Sequence, residues 1–126
     1  MTQVTRCQRS DARKRFWVER LVIDVEVFRG LIREGRYRLT LHAEAEREAD
    51  HITAREIKEA LLSDRAEIIE RYPDDPRGPS FLFLGFTQEG QPIHFVCAMA
   101  DVAIVITLYR PDPEHWVNWK VRREGA

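Results

Sequence analysis

Three runs decide the fold: Ser80-Phe81-Leu82-Phe83-Leu84-Gly85-Phe86-Thr87, Pro92-Ile93-His94-Phe95-Val96-Cys97-Ala98 and Val102-Ala103-Ile104-Val105-Ile106-Thr107-Leu108-Tyr109. They are apolar, β-branched and aromatic, which is strand composition. The linkers Gln88-Glu89-Gly90-Gln91 and Met99-Ala100-Asp101 are short enough for antiparallel hairpins. Glu67-Ile68-Ile69-Glu70-Arg71-Tyr72 reads as an earlier strand, joined to the others by the rigid loop Pro73-Asp74-Asp75-Pro76-Arg77-Gly78-Pro79. The expectation is an antiparallel meander of about four strands.

Upstream the period changes from two to 3.6. From about Asp11 to Glu34, Trp17, Leu21, Val25, Phe28 and Ile32 recur at spacings of four and three, one face of an amphipathic helix ended by Gly35. Tyr37 to Leu41 reads as a short strand or extended entry. His42 to about Asp50 reads as a helix with His42, Ala45, Ala49 and Ile52 on one face. Thr53-Ala54-Arg55-Glu56 is a capping box that opens another helix through Leu62, with Ile57, Ala60 and Leu61 turned inward. Helices first and a meander after them define an α+β class, the helices packing on the sheet. Residues 1–9 read as a flexible leader and 10–126 as a single domain, which suits a chain of 126 residues.

Composition excludes several classes. Apolar residues at 44% and charged residues at 33% are globular proportions. Charges interrupt every apolar run well before the ~20 residues of a membrane helix. The first seven residues carry no apolar signal core. Cys7 and Cys97 are the two cysteines, too few for a disulfide framework or a zinc ligand set, so a reducing, cytoplasmic setting is the default and neither metal nor cofactor is expected. The net charge of −1 hides an asymmetry: residues 1–38 hold ten basic against five acidic side chains. That basic third suits either phosphate, an acidic partner, or a solvated helix face.

The hairpin linkers suggest a register. A tip at Glu89-Gly90 sets Gly85 opposite His94, and a tip at Ala100-Asp101 sets His94 opposite Thr107 and Val96 opposite Val105. Alternation then puts Val96, Val105, Thr107 and Tyr109 on the face of His94, and Ile93, Phe95, Cys97, Ile104, Ile106 and Leu108 in the core. On this reading a residue without a side chain flanks His94 and leaves room for a ligand. Otherwise His94 is half-buried and satisfied by Thr107 or water, and Gly85 marks a bulge. His42, at a strand-to-helix junction, is likewise a structural or a site histidine. Arg47 is a phosphate contact or a surface arginine paired with Glu44 or Glu48. Asp74-Asp75 reads as turn chemistry. No phosphate-binding glycine loop and no serine-nucleophile motif is present.

The order of these segments resembles the bacterial domain-of-unknown-function family 4258. Thr40-Leu41-His42-Ala43 with Arg47, Ile52-Thr53 with Glu56-Ile57, Tyr72-Pro73-Asp74-Asp75 with Gly78-Pro79-Ser80, Pro92-Ile93-His94-Phe95-Val96, and Ile106-Thr107-Leu108-Tyr109-Arg110-Pro111-Asp112-Pro113 with Trp116 are similar to its five motifs in order, over about residues 31–123. Where the family often has Arg-Gly before the Ile-Thr pair, this chain has Asp50-His51. Such proteins look like distant relatives of the RelE, ParE and MqsR toxins, often encoded beside a small zinc-finger antitoxin. The resemblance implies a RelE-like fold, an endoribonuclease activity in a toxin–antitoxin pair, and RNA or the ribosome and that antitoxin as partners; this is analogy at fold level.

Metal-free RNA cleavage needs a base for the ribose 2′-OH, a cation for the phosphorane and an acid for the leaving 5′-oxygen. Histidine suits the proton steps and arginine the phosphate. The catalytic candidates are His42, His94 and Tyr109; Arg47, Arg110 and Thr107 are the candidates for substrate binding. Two other readings compete. One is a non-catalytic protein-binding module whose basic, aromatic tail (Trp116, Trp119, Lys120, Arg122, Arg123) embraces a partner. The other is a homodimer joined through the first helix, where Trp17 and Phe28 are large for so small a sheet.

Overall fold

A computed structural model describes residues 25–124. Its elements, in chain order, are α1 (Val25–Arg33), β1 (Tyr37–Leu39), α2 (Leu41–Ala49), α3 (Ala54–Leu61), β2 (Glu67–Tyr72), β3 (Ser80–Phe86), β4 (Pro92–Met99), β5 (Ala103–Tyr109), β6 (Trp116–Val117) and β7 (Val121–Arg122). The chain is α+β. The expected leader, and the part of the expected first helix that holds Trp17 and Leu21, lie outside the described residues.

Five strands form one sheet in the order β1-β5-β4-β3-β2. The expected antiparallel meander is there as β2 to β5. β1 adds a parallel edge to it, Tyr37 pairing with Ala103 and Leu39 with Val105, so the sheet is mixed. The tail forms a separate hairpin, β6–β7, that the sequence reading left without structure.

One face of the sheet carries the core. Phe28 and Ile32 of α1, and Ile57, Ala60 and Leu61 of α3, pack on Phe81, Phe83, Ile93, Phe95, Cys97, Ala103, Val105 and Leu108. The stripe that suggested a dimer face therefore places Phe28 inside the molecule. The α3 capping box is complete: Thr53 Oγ1 accepts the Glu56 amide at 3.0 Å, and Glu56 accepts the Thr53 amide at 3.0 Å. Thr40 caps α2 by accepting the Ala43 amide on its hydroxyl, without a return bond. α2 turns Ala43 inward, while His42, Ala45 and Ala49 face solvent, so the expected face of that helix is rotated.

α2 lies along β5 beyond the end of β1, and its side chains bond where another strand would. Glu46 accepts the Leu108 amide at 3.1 Å, Asp50 accepts the Arg110 amide at 3.0 Å, and Thr40 donates its hydroxyl to the Ile106 carbonyl at 2.9 Å. Buried backbone groups need such partners, and here short polar side chains supply them.

The expected register shifts in two places. Gly85 pairs with Ile93, and His94 with Leu84 on one side and Tyr109 on the other. Val96 pairs with Thr107 and Cys97 with Val105, leaving Ile106 as an extra residue in β5. This bulge inverts the phase of the strand. Before it Val105 points into the core, and after it Leu108 does, so Val105 leaves the face of His94, and Ile104 and Ile106 leave the core set. Nor does Gly85 open space beside His94. It faces α3, and an added Cβ would sit 2.0 Å from the Ala60 carbonyl oxygen.

Candidate active site

Two bulges aim polar side chains at one histidine. Ile69 is the extra residue of β2, between the pairs Ile68–Phe83 and Glu70–Leu82. Ile68 packs on the core, so unbroken alternation would send Glu70 and Tyr72 there too. The bulge turns both to the opposite face. In β5 the Ile106 bulge does the same for Thr107 and Tyr109. His94, on β4 between them, lies on that opposite face. The resulting row across the sheet runs Glu67, Leu84, His94, Tyr109.

His94 is 0% exposed, and both ring nitrogens are bonded. Nε2 lies 2.7 Å from the Trp119 carbonyl oxygen and Nδ1 lies 3.1 Å from the Tyr109 hydroxyl. A carbonyl only accepts, so Nε2 carries the proton and Nδ1 accepts from Tyr109. Burial holds the imidazole below its ordinary value; the Trp119 carbonyl and the Glu70 charge pull it up, and Arg122 pushes it down. Burial also raises the Tyr109 hydroxyl. The resting pair is thus a neutral phenol on a neutral imidazole with a free path for one proton between them.

The tail hairpin encloses this pair. Trp116 sets its ring edge-on to His94, centroids 4.5 Å apart. Asn118 and Trp119 both take left-handed backbone angles, φ 52° and 67°, at the hairpin turn. That turn brings the Trp119 carbonyl over Nε2. Lys120 reaches Glu67 at 2.8 Å, and Arg122 reaches Glu70 with two bonds of 2.9 and 3.2 Å. Arg122 also lies over the Trp116 ring, 4.7 Å from its centroid. Tyr72 donates its hydroxyl to Glu70, which with burial pushes that phenol up to about 12. Arg122 and Tyr72 hold the Glu70 carboxyl below its usual range against the opposing effect of burial.

Beside the hairpin a cleft of about 290 Å³ opens, lined by Tyr109, Arg110, Asp112, His115, Trp116 and Arg122. Its lining is two aromatic rings, two arginines and an Asp112–His115 pair at 3.4 Å. Among the described residues, no three His, Cys, Asp or Glu side chains gather where they could share a metal ion.

The sequence candidates fall into two groups. Tyr109 and Arg110 line the cleft, and His94 is bonded to Tyr109 in the buried layer behind it. Thr107 lies one register step away, opposite Val96. His42 stands outside the cleft with its side chain 67% exposed, 3.3 Å from Glu46. Glu46 links it to the strand, since the same carboxylate holds the Leu108 amide and its charge is felt at Tyr109. Arg47 bonds Glu44 at 2.7 Å and the Ile52 carbonyl at 3.2 Å, closing the α2–α3 loop. Arg110 clamps the same loop through the Asp50 and His51 carbonyls at 3.1 and 3.0 Å and through Glu56.

Glu70 and His115 carry no site signal in the sequence, and Trp116, Trp119 and Arg122 read there only as residues of the basic, aromatic tail. Glu70 carries no signal without its bulge. Trp119 acts through its backbone, which no residue pattern encodes.

Residues 39–110 match the family model described as "Domain of unknown function (DUF4258)". The match covers more than half of the chain, and the chain belongs to that family. No curated protein matches the chain, and no solved structure does.

Proposed function

We propose that the protein is a toxin-like, cytoplasmic endoribonuclease that cleaves RNA without a metal ion, at the cleft above Tyr109 and His94. The observation that supports it is the Tyr109–His94 pair itself: a phenol that lines a cleft with two arginines, bonded to a buried histidine of fixed tautomer. Such a pair can move a proton in one direction. Tyr109 Oη takes the proton of a ribose 2′-OH while passing its own to His94 Nδ1. The 2′-oxygen attacks phosphorus, the bond from phosphorus to the 5′-oxygen breaks, and a 2′,3′-cyclic phosphate forms. The imidazolium is held by the Trp119 carbonyl and the Glu70 charge. Arg122, largely exposed in the cleft lining, faces the phosphate oxygens, where a planar guanidinium suits the charge that develops; Arg110, held by the α2–α3 loop, adds its charge to the same lining. His115, at the cleft mouth, returns a proton to the leaving oxygen. His42 and Arg47 lie outside this scheme, one on the α2 surface and the other in the α2–α3 loop.

The test is RNA incubated with the protein in chelator, beside Tyr109→Phe and His94→Gln, with fragment ends read. Cyclic phosphate ends from the wild type, lost in both variants while they remain folded, support the reaction. Metal-dependent cleavage, or cleavage unchanged in Tyr109→Phe, rejects it.

One observation favours a second reading. His94 is fully enclosed with both nitrogens satisfied, as a structural keystone would be. The protein is then a binding module that docks an antitoxin-like protein through the tail hairpin. Capture of a small zinc-finger partner by a chain that cleaves neither free nor ribosome-bound RNA supports that reading.

A further inference from the structure

We infer that Arg122 is a phosphate-responsive cap on Glu70: a phosphate group entering the cleft draws the guanidinium off the carboxylate, and the uncovered Glu70 then acts on His94. The inference rests on the cleft described above as the binding site and adds how that site is set for reaction.

Geometry carries the argument. Glu70 is on the face of His94 because of the Ile69 bulge, which turns it away from the core on which Ile68 packs. Once there, its carboxylate accepts two hydrogen bonds from Arg122 and one from the Tyr72 hydroxyl, and Arg122 is the charged partner that masks it. Arg122 is 62% exposed, belongs to a two-residue strand and lines the cleft, so its guanidinium can turn toward a ligand without unfolding anything. Phosphate oxygens offer the same planar, two-point match as a carboxylate. Arg110 and His115 in the same lining add to the attraction for an anion, and Asp112 opposes it.

The groups around His94 are countable. β2 supplies Glu70, Tyr72 and, further along the same row, Glu67; β5 supplies Tyr109; the hairpin supplies Arg122, the Trp119 carbonyl, the Trp116 ring and Lys120, whose ammonium pairs with Glu67 at 2.8 Å. Tyr72 and Tyr109 are both raised phenols and stay neutral near pH 7. Glu67 and Lys120 neutralise each other, and Glu70 and Arg122 are the opposite charges felt at His94, so moving Arg122 changes their balance in one direction. Glu70 is a positioning residue in this scheme: it acts through His94 and does not touch substrate.

The experiment follows the His94 ring by NMR through a pH titration of the full chain. The added probes are inorganic phosphate and a short deoxyribonucleotide oligomer, which has phosphodiesters but no 2′-OH. The expected result is an upward shift of the His94 midpoint with either probe. Arg122→Gln should show the upward shift without any probe and little further response. Glu70→Gln should lower the midpoint and blunt the response, and Glu70→Asp should restore part of it. A response to the oligomer alone assigns the cap to diesters, and a response to inorganic phosphate alone assigns it to free phosphate. A wild-type midpoint that neither probe moves, or one that moves equally in Arg122→Gln, overturns the inference. A shift without RNA cleavage keeps the cap and rejects the nuclease; cleavage without a shift does the reverse.

Discussion

Gly85 on β3 presses directly against the Ala60 carbonyl of α3: a Cβ on Gly85 would lie 2.0 Å from that oxygen and 2.6 Å from its carbon. This contact sets how closely the helix sits on the sheet. Both groups are backbone, so neither can swing aside as a side-chain tip would. Gly85→Ala should therefore destabilise the fold by about 3 kcal/mol, the upper part of the usual range for overpacking. Gly30, within α1, has nothing within 4 Å of its would-be Cβ. Gly30→Ala should stabilise by about 0.8 kcal/mol through helix propensity. Urea unfolding of the two variants tests the pair; equal effects would show that Gly85 is not a close-packing glycine.

His51 takes φ 57° between α2 and α3 and is exposed. A side chain in the left-handed region costs about 1 kcal/mol relative to glycine. His51→Gly should raise the melting temperature, because the side chain contributes no bond that the glycine would lose. A lower melting temperature would mean that the imidazole holds something the backbone does not reveal.

Arg110→Lys should destabilise the chain by about 1–2 kcal/mol even though charge is conserved. The guanidinium reaches the Asp50 and His51 carbonyls and the Glu56 carboxylate from one plane. An ammonium is a single point with no such fork. Hydrogen exchange should locate the loss in residues 50–56. Uniform acceleration over the whole sheet would contradict a local clamp.

Stability should fall as the pH drops through the histidine range. The folded His94 is held below its ordinary value, so the unfolded chain binds the extra proton first. The contribution is complete above the unfolded value of about 6.5 and is lost progressively below it, down to the folded value. Asp75, held near 2 by Arg77, and the lowered Glu56 and Glu70 act in the same direction at more acidic pH. Melting curves between pH 7.5 and 5 should slope more steeply for wild type than for His94→Gln. Parallel slopes would mean that His94 titrates alike in both states.

Most of the fold was legible because it rests on periodicity. The α3 capping box, the β2 to β5 strands and the inward Ile57, Ala60 and Leu61 all follow from local patterns that packing did not override. The candidate site was legible in part. His94 and Tyr109 were named, yet the register that joins them was not, since one extra residue at Ile106 flips every later side chain and leaves no mark in composition. Gly85 shows the same limit from another side. A missing side chain reads as vacancy in sequence, while in space the Ala60 carbonyl occupies it. The hairpin escaped notice because its strands have two residues each and its turn puts a tryptophan where glycine or asparagine is favoured.

The tautomer of His94 is set by the Trp119 carbonyl, a main-chain atom. Its persistence through mutation is therefore indifferent to which side chain stands at 119, provided the left-handed turn survives. A relative with glycine or asparagine there would keep the same proton on the same nitrogen, and would hold the turn more easily. Comparison of side chains across relatives would then score position 119 as variable while its chemical contribution stayed constant. Position 109 has no such latitude, because there the hydroxyl itself is the partner.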